Sequence, residues 1–194
     1  MGARAPTHAG DLGESFDSVL AAARTGASWA FERMWQALAP SVSGYLRVQG
    51  APEPDDLVSE VFLSAFSRLD SFRGDEACFR SWVFTIAHHR VVDDWRRRGR
   101  RPALADCGQP MSVDPPGGDV EEEALRQLSE QRVRRVCDLL APDQRDVVLL
   151  RMVAGLSLEQ TADALGKTTV AVKALQHRAL TALRRHLDRE GVSL

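Results

Sequence analysis

Long apolar runs are missing from this sequence of 194 residues. No stretch approaches the roughly 20 consecutive apolar residues that a membrane-spanning helix needs. The first 15 residues also lack the apolar core of a secretory signal peptide. Both absences argue against an integral membrane protein, and we expect a cytoplasmic chain without membrane insertion.

Cysteine is scarce as well, because the chain holds only three: Cys78, Cys107 and Cys137. They are isolated from one another along the sequence, and this spacing matches neither a disulfide framework nor a zinc site. We therefore interpret the three thiols as incidental.

Histidine and aspartate pairs leave one catalytic interpretation open. His88-His89 and Asp93-Asp94 could share a helix face and suggest a metal or hydrolase site. No further ligand cluster lies nearby, however, and the adjacent arginine run would disfavour a bound cation. We therefore expect no catalytic residue, no metal and no cofactor.

Net charge is nearly absent, with a formal value of -2 at pH 7. The charges are nevertheless segregated along the chain. Residues 90–101 hold six arginines against two aspartates, and residues 166–189 hold six basic residues against one acid. Residues 102–124 hold six acids and no base. Two basic patches with an acidic connector suit a protein that binds nucleic acid once a partner arranges the patches.

The most informative segment spans residues 156–187 and predicts two helices joined by a tight turn. Ser157 is placed to cap the first helix, with Gln160 three residues on as in a capping box. Gly166 can adopt the left-handed conformation that ends this helix, and the second helix should begin at Thr168 or Thr169. One buried face of the first helix is predicted at Leu158, Thr161, Ala162 and Leu165. The pattern is typical of a helix-turn-helix, whose second helix lies in the major groove of DNA.

The second helix of this hairpin is predicted to have one packing face and one basic face. The packing face holds Val172, Leu175, Ala179 and Leu183. The opposite face holds Val170, Lys173, Ala174, His177, Arg178, Arg184 and Arg185. A charged face that is merely solvated gives the same spacing, so the spacing favours DNA binding without requiring it.

Two of the helices predicted in the N-terminal half suggest binding surfaces. In residues 55–72 apolar side chains cover about half of the helix circumference, which is more than packing on one neighbour needs. Leu63 lies outside even that arc, and excess apolar surface marks a partner site. A helix buried between two neighbours is the competing interpretation. The next helix, from about Asp75 to Arg98, ends in the arginine cluster, where Trp95 suggests contacts with phosphates and unstacked bases.

Residues 101–119 contain four of the nine prolines and three glycines, which predicts a linker. We therefore expect an all-α protein of two small helical domains joined by a flexible linker. The expected divisions are a disordered arm (1–13), a first domain (14–101), an acidic linker (102–123) and a helix-turn-helix domain (124–190).

Several motifs, taken in order, resemble the extracytoplasmic-function (ECF) sigma factors of the sigma-70 family. DLVSEVFLSAF, FRG and FRSWVFTIAHHRVVDDWRRRGRRP are similar to the sigma domain that binds the polymerase clamp and opens the minus-ten element. The C-terminal hairpin is similar to the module that reads the minus-thirty-five element, with matches at Ser157, Ala162, Leu165, Gly166, Val172, Lys173, His177, Arg178 and Ala179. Within this hairpin Lys167 departs from the family pattern, in which an apolar residue follows the glycine.

The resemblance implies three binding surfaces. Core polymerase is expected to contact Asp56, Ser59, Glu60, Phe62 and Leu63. Minus-ten DNA is expected to contact Trp82, Arg90, Asp93, Arg96, Arg97, Arg98, Arg100 and Arg101. Minus-thirty-five DNA is expected to contact Thr168, Thr169, Val170, Lys173, Ala174, His177 and Arg178. The resemblance also implies that the protein is a monomer when free and that its partners are core RNA polymerase and promoter DNA. Many relatives are also held inactive by an anti-sigma protein.

The alternative is a conventional helix-turn-helix regulator that binds a palindromic operator as a symmetric dimer. It would explain neither the linker nor the basic helix at 90–101. We therefore expect a dissociable specificity subunit of RNA polymerase, with no catalytic chemistry of its own.

Overall fold

The structure, a computed structural model, describes residues 16–99 and 133–190, apart from the side chains of Leu187 and Glu190. Within these ranges the chain is α-helical and contains no β-strand. The helices are α1 (Phe16–Arg24), α2 (Ser28–Val48), α3 (Pro54–Phe66), α4 (Glu76–Arg97), α5 (Pro142–Met152), α6 (Leu158–Leu165) and α7 (Thr169–Glu190). A 3-10 turn covers Leu69–Ser71, and residues 133–138 form a short helical segment. The all-α prediction is confirmed, whereas the predicted arm and linker lie outside the described residues.

The N-terminal domain is built around the contacts of α3 with α2 on one side and α4 on the other. Aromatic rings fill much of this core. The ring of Phe62 lies 4.6 Å from that of Trp35, centroid to centroid, and the ring of Tyr45 lies 5.7 Å from that of Phe84. α1 packs against α2 and places Phe16 beside Phe79 of α4. Burial between two neighbours therefore explains most of the wide apolar arc of α3.

Local sequence signals mark the starts of several helices. Pro54 and Pro142 occupy the first turns of α3 and α5, where the missing N–H of proline costs no helical hydrogen bond. The carboxylate of Asp75 caps α4 by accepting a hydrogen bond of 2.8 Å from the backbone N–H of Cys78. This hydrogen bond is the main reason why the pKa of Asp75 is lowered.

The C-terminal domain consists of the 133–138 segment, α5, α6 and α7. Arg145 of α5 is buried and donates a hydrogen bond of 3.1 Å from its Nε to the backbone carbonyl of Cys137. α5 and α6 hold the inner side of α7 through two small apolar clusters. One centres on Val147, Ala162 and Val172, and the other on Leu140, Val148 and Ala179.

The two domains pack directly against each other. Leu149, Leu150 and Leu156 of the C-terminal domain belong to the same continuous apolar cluster as the core of the N-terminal domain. α4 and α6 are in contact, and hydrogen bonds also cross between the domains. The sequence analysis did not predict this docking.

Candidate nucleic-acid and polymerase interfaces

The turn between α6 and α7 has the geometry that its sequence predicts. The Ser157 hydroxyl accepts a hydrogen bond from the Gln160 N–H at 3.1 Å, and the Gln160 side chain accepts one from the Ser157 N–H at 2.8 Å. This reciprocal pair is a capping box and starts α6. Gly166 ends the helix at φ 61° and ψ 34°, in the left-handed region that favours glycine. The capping box fixes the start of α6 and Gly166 fixes its end, where the corner of the helix-turn-helix lies.

Lys167 replaces the apolar residue that the family pattern has at this turn, and it finds a polar partner. Its ammonium group lies 2.9 Å from a carboxylate oxygen of Asp143 in the first turn of α5. The turn is therefore tied to α5 by an ion pair at the domain surface.

α7 presents one packed side and one open side. Val172 and Ala179 are fully buried, while Leu175 and Leu183 pack against the same clusters from partly buried positions. This is the packing face that the helical period predicts. Because the packed side is held by α5 and α6, the opposite side is free to approach DNA.

The open side of α7 carries the residues predicted to read the minus-thirty-five element. Val170 is 75% exposed. Thr169 and Ala174 are half-buried, so they contribute less surface. The Thr168 hydroxyl accepts a hydrogen bond of 3.2 Å from the Ala171 N–H, so this side chain helps to cap α7. The remaining members of the predicted set are exposed: Lys173, His177 and Arg178.

A negative charge borders this open side. The pKa of Glu159 in the first turn of α6 is lowered, first by its own backbone N–H and then by the hydroxyl of Ser157. The positive charges of Arg151 and Lys173 act in the same direction. Glu159 is therefore a carboxylate at neutral pH, and we expect it to repel DNA phosphates at that edge of the surface.

The arginine cluster at the end of α4 is largely paired within the protein. Arg96 lies 3.2 Å from the carboxylate of Asp93, and Arg98 lies 2.9 Å from that of Asp94. Arg97 also approaches Asp94, at 3.7 Å. The Arg96–Asp93 pair is exposed on both sides, and such pairs are weak enough for a phosphate to displace them. The Asp94 carboxylate that Arg97 and Arg98 approach is buried. The predicted residues Arg100 and Arg101 lie outside the described residues.

Arg90 links two of the predicted surfaces. Its guanidinium lies 3.7 Å from the carboxylate of Glu60 on α3, and both side chains are roughly half exposed. Arg90 is predicted to contact minus-ten DNA and Glu60 core polymerase, so the two predicted surfaces adjoin.

The aromatic part of the minus-ten prediction needs a correction. Trp95 is only 5% exposed and belongs to the apolar core, so it offers no ring face to an unstacked base. Trp82 is half-buried and stacks on Phe72, with ring centroids 5.3 Å apart. It lines a cleft of about 420 Å³ that also includes Ser81 and, from the other domain, Gln160.

The polymerase-binding prediction on α3 also needs a correction. Phe62 is only 1% exposed, because its ring packs against Trp35 and Phe66 inside the domain, and it cannot contact a partner. Leu63, the next residue, is 70% exposed. The other predicted contacts, Asp56, Ser59 and Glu60, are exposed.

His88 and both aspartates have polar partners within the protein. His88 is buried, and its Nδ1 lies 2.9 Å from the hydroxyl of Tyr45. Asp94 is buried beneath the two arginines that it pairs with. Within residues 16–99 and 133–190, no three histidine, cysteine or acidic side chains are grouped as a metal site would require. In the same ranges no helix is long and apolar enough to cross a membrane.

Both halves of the chain match known protein families. Residues 34–101 match the family model described as Sigma-70 region 2, and residues 138–185 match that described as Sigma-70, region 4. The ECF RNA polymerase sigma factor SigD of Mycobacterium tuberculosis is 34% identical over 185 residues, which cover 92% of this chain and 87% of that protein. The ECF RNA polymerase sigma factor BldN of Streptomyces coelicolor is 32% identical over 167 residues, covering 85% of this chain and 63% of that protein.

Among solved structures, a similar fold occurs in CnrH in complex with the cytosolic domain of CnrY. The TM-score is 0.64 at 24% identity, covering 91% of this chain and 99% of that one.

Proposed function

Because the chain belongs to the sigma-70 family, and within it to the ECF RNA polymerase sigma factors, we propose that three surfaces on its two domains divide the work of promoter recognition. As a sigma factor, it binds core RNA polymerase and directs it to promoters. We assign clamp binding and the minus-ten element to residues 14–101, and the minus-thirty-five element to residues 124–190, with 102–123 as the connector. The dimeric operator-binding alternative is not favoured, because it has no use for a Sigma-70 region 2.

The observation that carries the proposal is the open side of α7. A helix whose inner residues Val172 and Ala179 are fully buried keeps a fixed orientation, so its exposed side chains are presented as a preformed surface. Lys173, His177 and Arg178 supply hydrogen-bond donors suited to base edges and phosphates. We therefore assign this surface to the major groove of the minus-thirty-five element.

The test of this assignment is a promoter library transcribed by holoenzyme that carries Lys173→Ala or Arg178→Ala. A lost base contact should change discrimination at one position by about 1 to 3 kcal/mol, whereas a lost phosphate contact should weaken all promoters alike. Arg184→Ala is the matched control on the same helix, and it should leave sequence preference unchanged. If neither Lys173→Ala nor Arg178→Ala alters promoter strength or minus-thirty-five preference, α7 is not the reader.

Core polymerase is proposed to bind the exposed edge of α3. The side chain of Leu63 is exposed on a helix whose other apolar residues are mostly buried. Burying this side chain against a partner is favourable, because it removes apolar surface from water. Asp56, Ser59 and Glu60 surround it with polar and acidic groups that suit a basic partner surface. Phe62 is left out of this assignment.

Replacing Glu60 and Leu63 together by arginine should abolish holoenzyme assembly, because it reverses the charge and removes the apolar contact. Trp29→Arg is the control, since Trp29 is also an exposed apolar residue of the N-terminal domain, 54% exposed, but lies on α2. Native gel assembly with core polymerase would measure the difference. Assembly of the double variant at wild-type affinity would contradict the assignment.

Single-stranded minus-ten DNA is proposed to bind Trp82, Arg90, Asp93 and the arginines from Arg96 onward, including Arg100 and Arg101. Neutralising Arg96, Arg97 and Arg98 should lower promoter affinity and flatten its salt dependence, because guanidinium contacts to phosphates release counterions. Asp93→Ala should instead alter minus-ten sequence preference, since a carboxylate repels phosphates and is suited to base groups. Unchanged preference and unchanged open-complex formation in Asp93→Ala would remove that role.

The remaining assignments follow from the sigma-factor role. We propose that the chain carries no reaction of its own, acts in the cytoplasm where the polymerase works, and is monomeric when free. Light scattering of the purified protein would test the last point. An anti-sigma protein is proposed as a further partner, and co-purification from the native host would test it.

A further inference from the structure

One apolar side chain is exposed in the middle of the basic face of α7. Val170 is the second residue of this helix and is 75% exposed. At about 100° per residue it lies roughly opposite Val172 and Ala179, which are fully buried. Because α5 and α6 hold that buried side, the side chain of Val170 faces away from the core of its domain.

The neighbours of Val170 on this face are polar or small. Lys173 and His177 follow it at three and seven residues, within about 60° of its direction, and both are exposed. Ala174, at four residues, is half-buried beside it. Val170 is therefore an exposed apolar group among polar side chains that suit DNA, and its own side chain can form no hydrogen bond.

The length of α7 decides which of its residues one major groove can hold. The groove is about 12 Å wide. At about 1.5 Å per residue, Val170 and Arg178 are about 12 Å apart along the helix axis, and Arg184 lies about 9 Å beyond them. The recognition helix of a helix-turn-helix contacts base edges with its N-terminal residues. Val170 is therefore at the end of α7 that approaches the bases.

Only thymine presents a methyl group in the major groove. The edges of adenine, guanine and cytosine present hydrogen-bond donors and acceptors there. A valine placed against such groups would remove them from water without replacing their hydrogen bonds, which is unfavourable. Against a thymine methyl group, the same valine buries apolar surface on both partners, which is favourable. The side chain of Val170 therefore favours thymine over the other three bases.

We propose that Val170 is a specificity-determining residue, which selects thymine at one position of the minus-thirty-five element by contact with the 5-methyl group. The inference rests on the proposed function, because it requires α7 to lie in the major groove. Lys173 and Arg178 contact DNA through charge and hydrogen bonds, whereas Val170 recognises the methyl group itself. It follows that 5-methylcytosine, which carries its methyl group at the same place, is accepted better than cytosine.

The experiment separates the methyl group from the rest of the base pair. The promoter that wild-type holoenzyme transcribes best in the library is rebuilt with deoxyuridine in place of each minus-thirty-five thymidine in turn, on either strand. Deoxyuridine keeps the hydrogen-bonding pattern of thymidine and lacks only the methyl group. Binding titrations then compare holoenzymes that carry the wild-type factor, Val170→Ala or the control Leu180→Ala. Leu180 is also exposed and apolar, but it lies about 15 Å further along α7.

With the wild-type factor, deoxyuridine at one position should weaken binding about fourfold, the ratio expected when one methyl group is no longer buried. Val170→Ala should bind the thymidine and deoxyuridine promoters nearly equally, and Leu180→Ala should match the wild type. At the sensitive position, 5-methylcytosine should bind the wild-type holoenzyme about fourfold more tightly than cytosine. Val170→Ala should not distinguish these two bases.

If Val170→Ala loses helicity by circular dichroism, Val170→Ser replaces it, because this variant lacks the same two methyl groups. The role of Val170 is overturned by the absence of a deoxyuridine effect at every position, by an equal effect in the wild type and the variant, or by a preferred element without an A·T pair. Lys173→Ala and Arg178→Ala distinguish this failure from that of the proposed function. If they still change minus-thirty-five preference, α7 reads the element without Val170, and if they do not, the proposed function fails.

Discussion

Phe62 and Leu63 are neighbours in sequence with opposite environments, and their alanine variants should separate stability from polymerase binding. Phe62 is 1% exposed, and its ring contacts Trp35 at 4.6 Å and Phe66 at 5.5 Å between centroids. Removing a buried phenylalanine ring costs about 3 to 5 kcal/mol of unfolding free energy. Each aromatic pair adds about 0.5 to 1.5 kcal/mol beyond area burial, which favours the upper half of that range.

Leu63→Ala should change stability by less than about 0.5 kcal/mol, because a surface substitution away from packing contacts is nearly neutral. It should nevertheless weaken binding to core polymerase. For a chain of this length, each kcal/mol lowers the melting temperature by about 2 to 4 °C, so Phe62→Ala should melt roughly 6 to 20 °C below the wild type.

Tryptophan fluorescence during urea unfolding is the appropriate assay. All four tryptophans lie in the N-terminal domain, so their signal follows the domain that carries both substitutions. The variants should share one slope with denaturant and differ in midpoint. A loss below about 1 kcal/mol in Phe62→Ala would refute the burial argument, as would an equal loss in both variants.

Other consequences of the structure can be measured separately. Gly166→Ala should destabilise by about 1 to 2 kcal/mol because its φ of 61° is left-handed, whereas Gly44→Ala, inside α2 with open space around it, should stabilise by about 0.5 to 1 kcal/mol; urea midpoints that move in the same direction would contradict this pair. A double-mutant cycle on Lys167 and Asp143 should give a coupling of about 0.2 to 1 kcal/mol, since both groups are partly exposed, and a coupling that resists high salt would contradict a surface pair. Burial raises the pKa of Cys137 to about 11 from its ordinary value of 9.0, so in a Cys107→Ser variant the exposed Cys78 should react with a thiol reagent near neutral pH well before Cys137. Because the unfolded thiol loses its proton near pH 9 and the folded one only near pH 11, the contribution of Cys137 to stability should be complete below pH 9 and fall as the pH rises between these values; a Cys137→Ala variant with the same alkaline stability loss as the wild type would contradict that assignment.

The features that the sequence determined by itself are local. Ser157 with Gln160, and Gly166 six residues on, define the ends of α6 because a capping hydrogen bond and a left-handed residue act within one helical turn. Val172 and Ala179 were correctly predicted to face inward, since helical period alone relates residues that share a face. The motifs that indicated the family are also local, because each is a contiguous stretch of sequence.

The tertiary structure decided what depends on neighbours that are distant in sequence. Phe62 and Leu63 were both assigned to the polymerase surface, and only the positions of α2 and α4 determine that Phe62 is buried and Leu63 is exposed. Trp95 lies among arginines in sequence but points into the core. The docking of the two domains depends on Gln49 meeting Asp146, which lies 97 residues away along the chain. Helical period fixes the direction of a side chain relative to its own axis, whereas the group that it meets is set by the packing of whole helices, which no local pattern encodes.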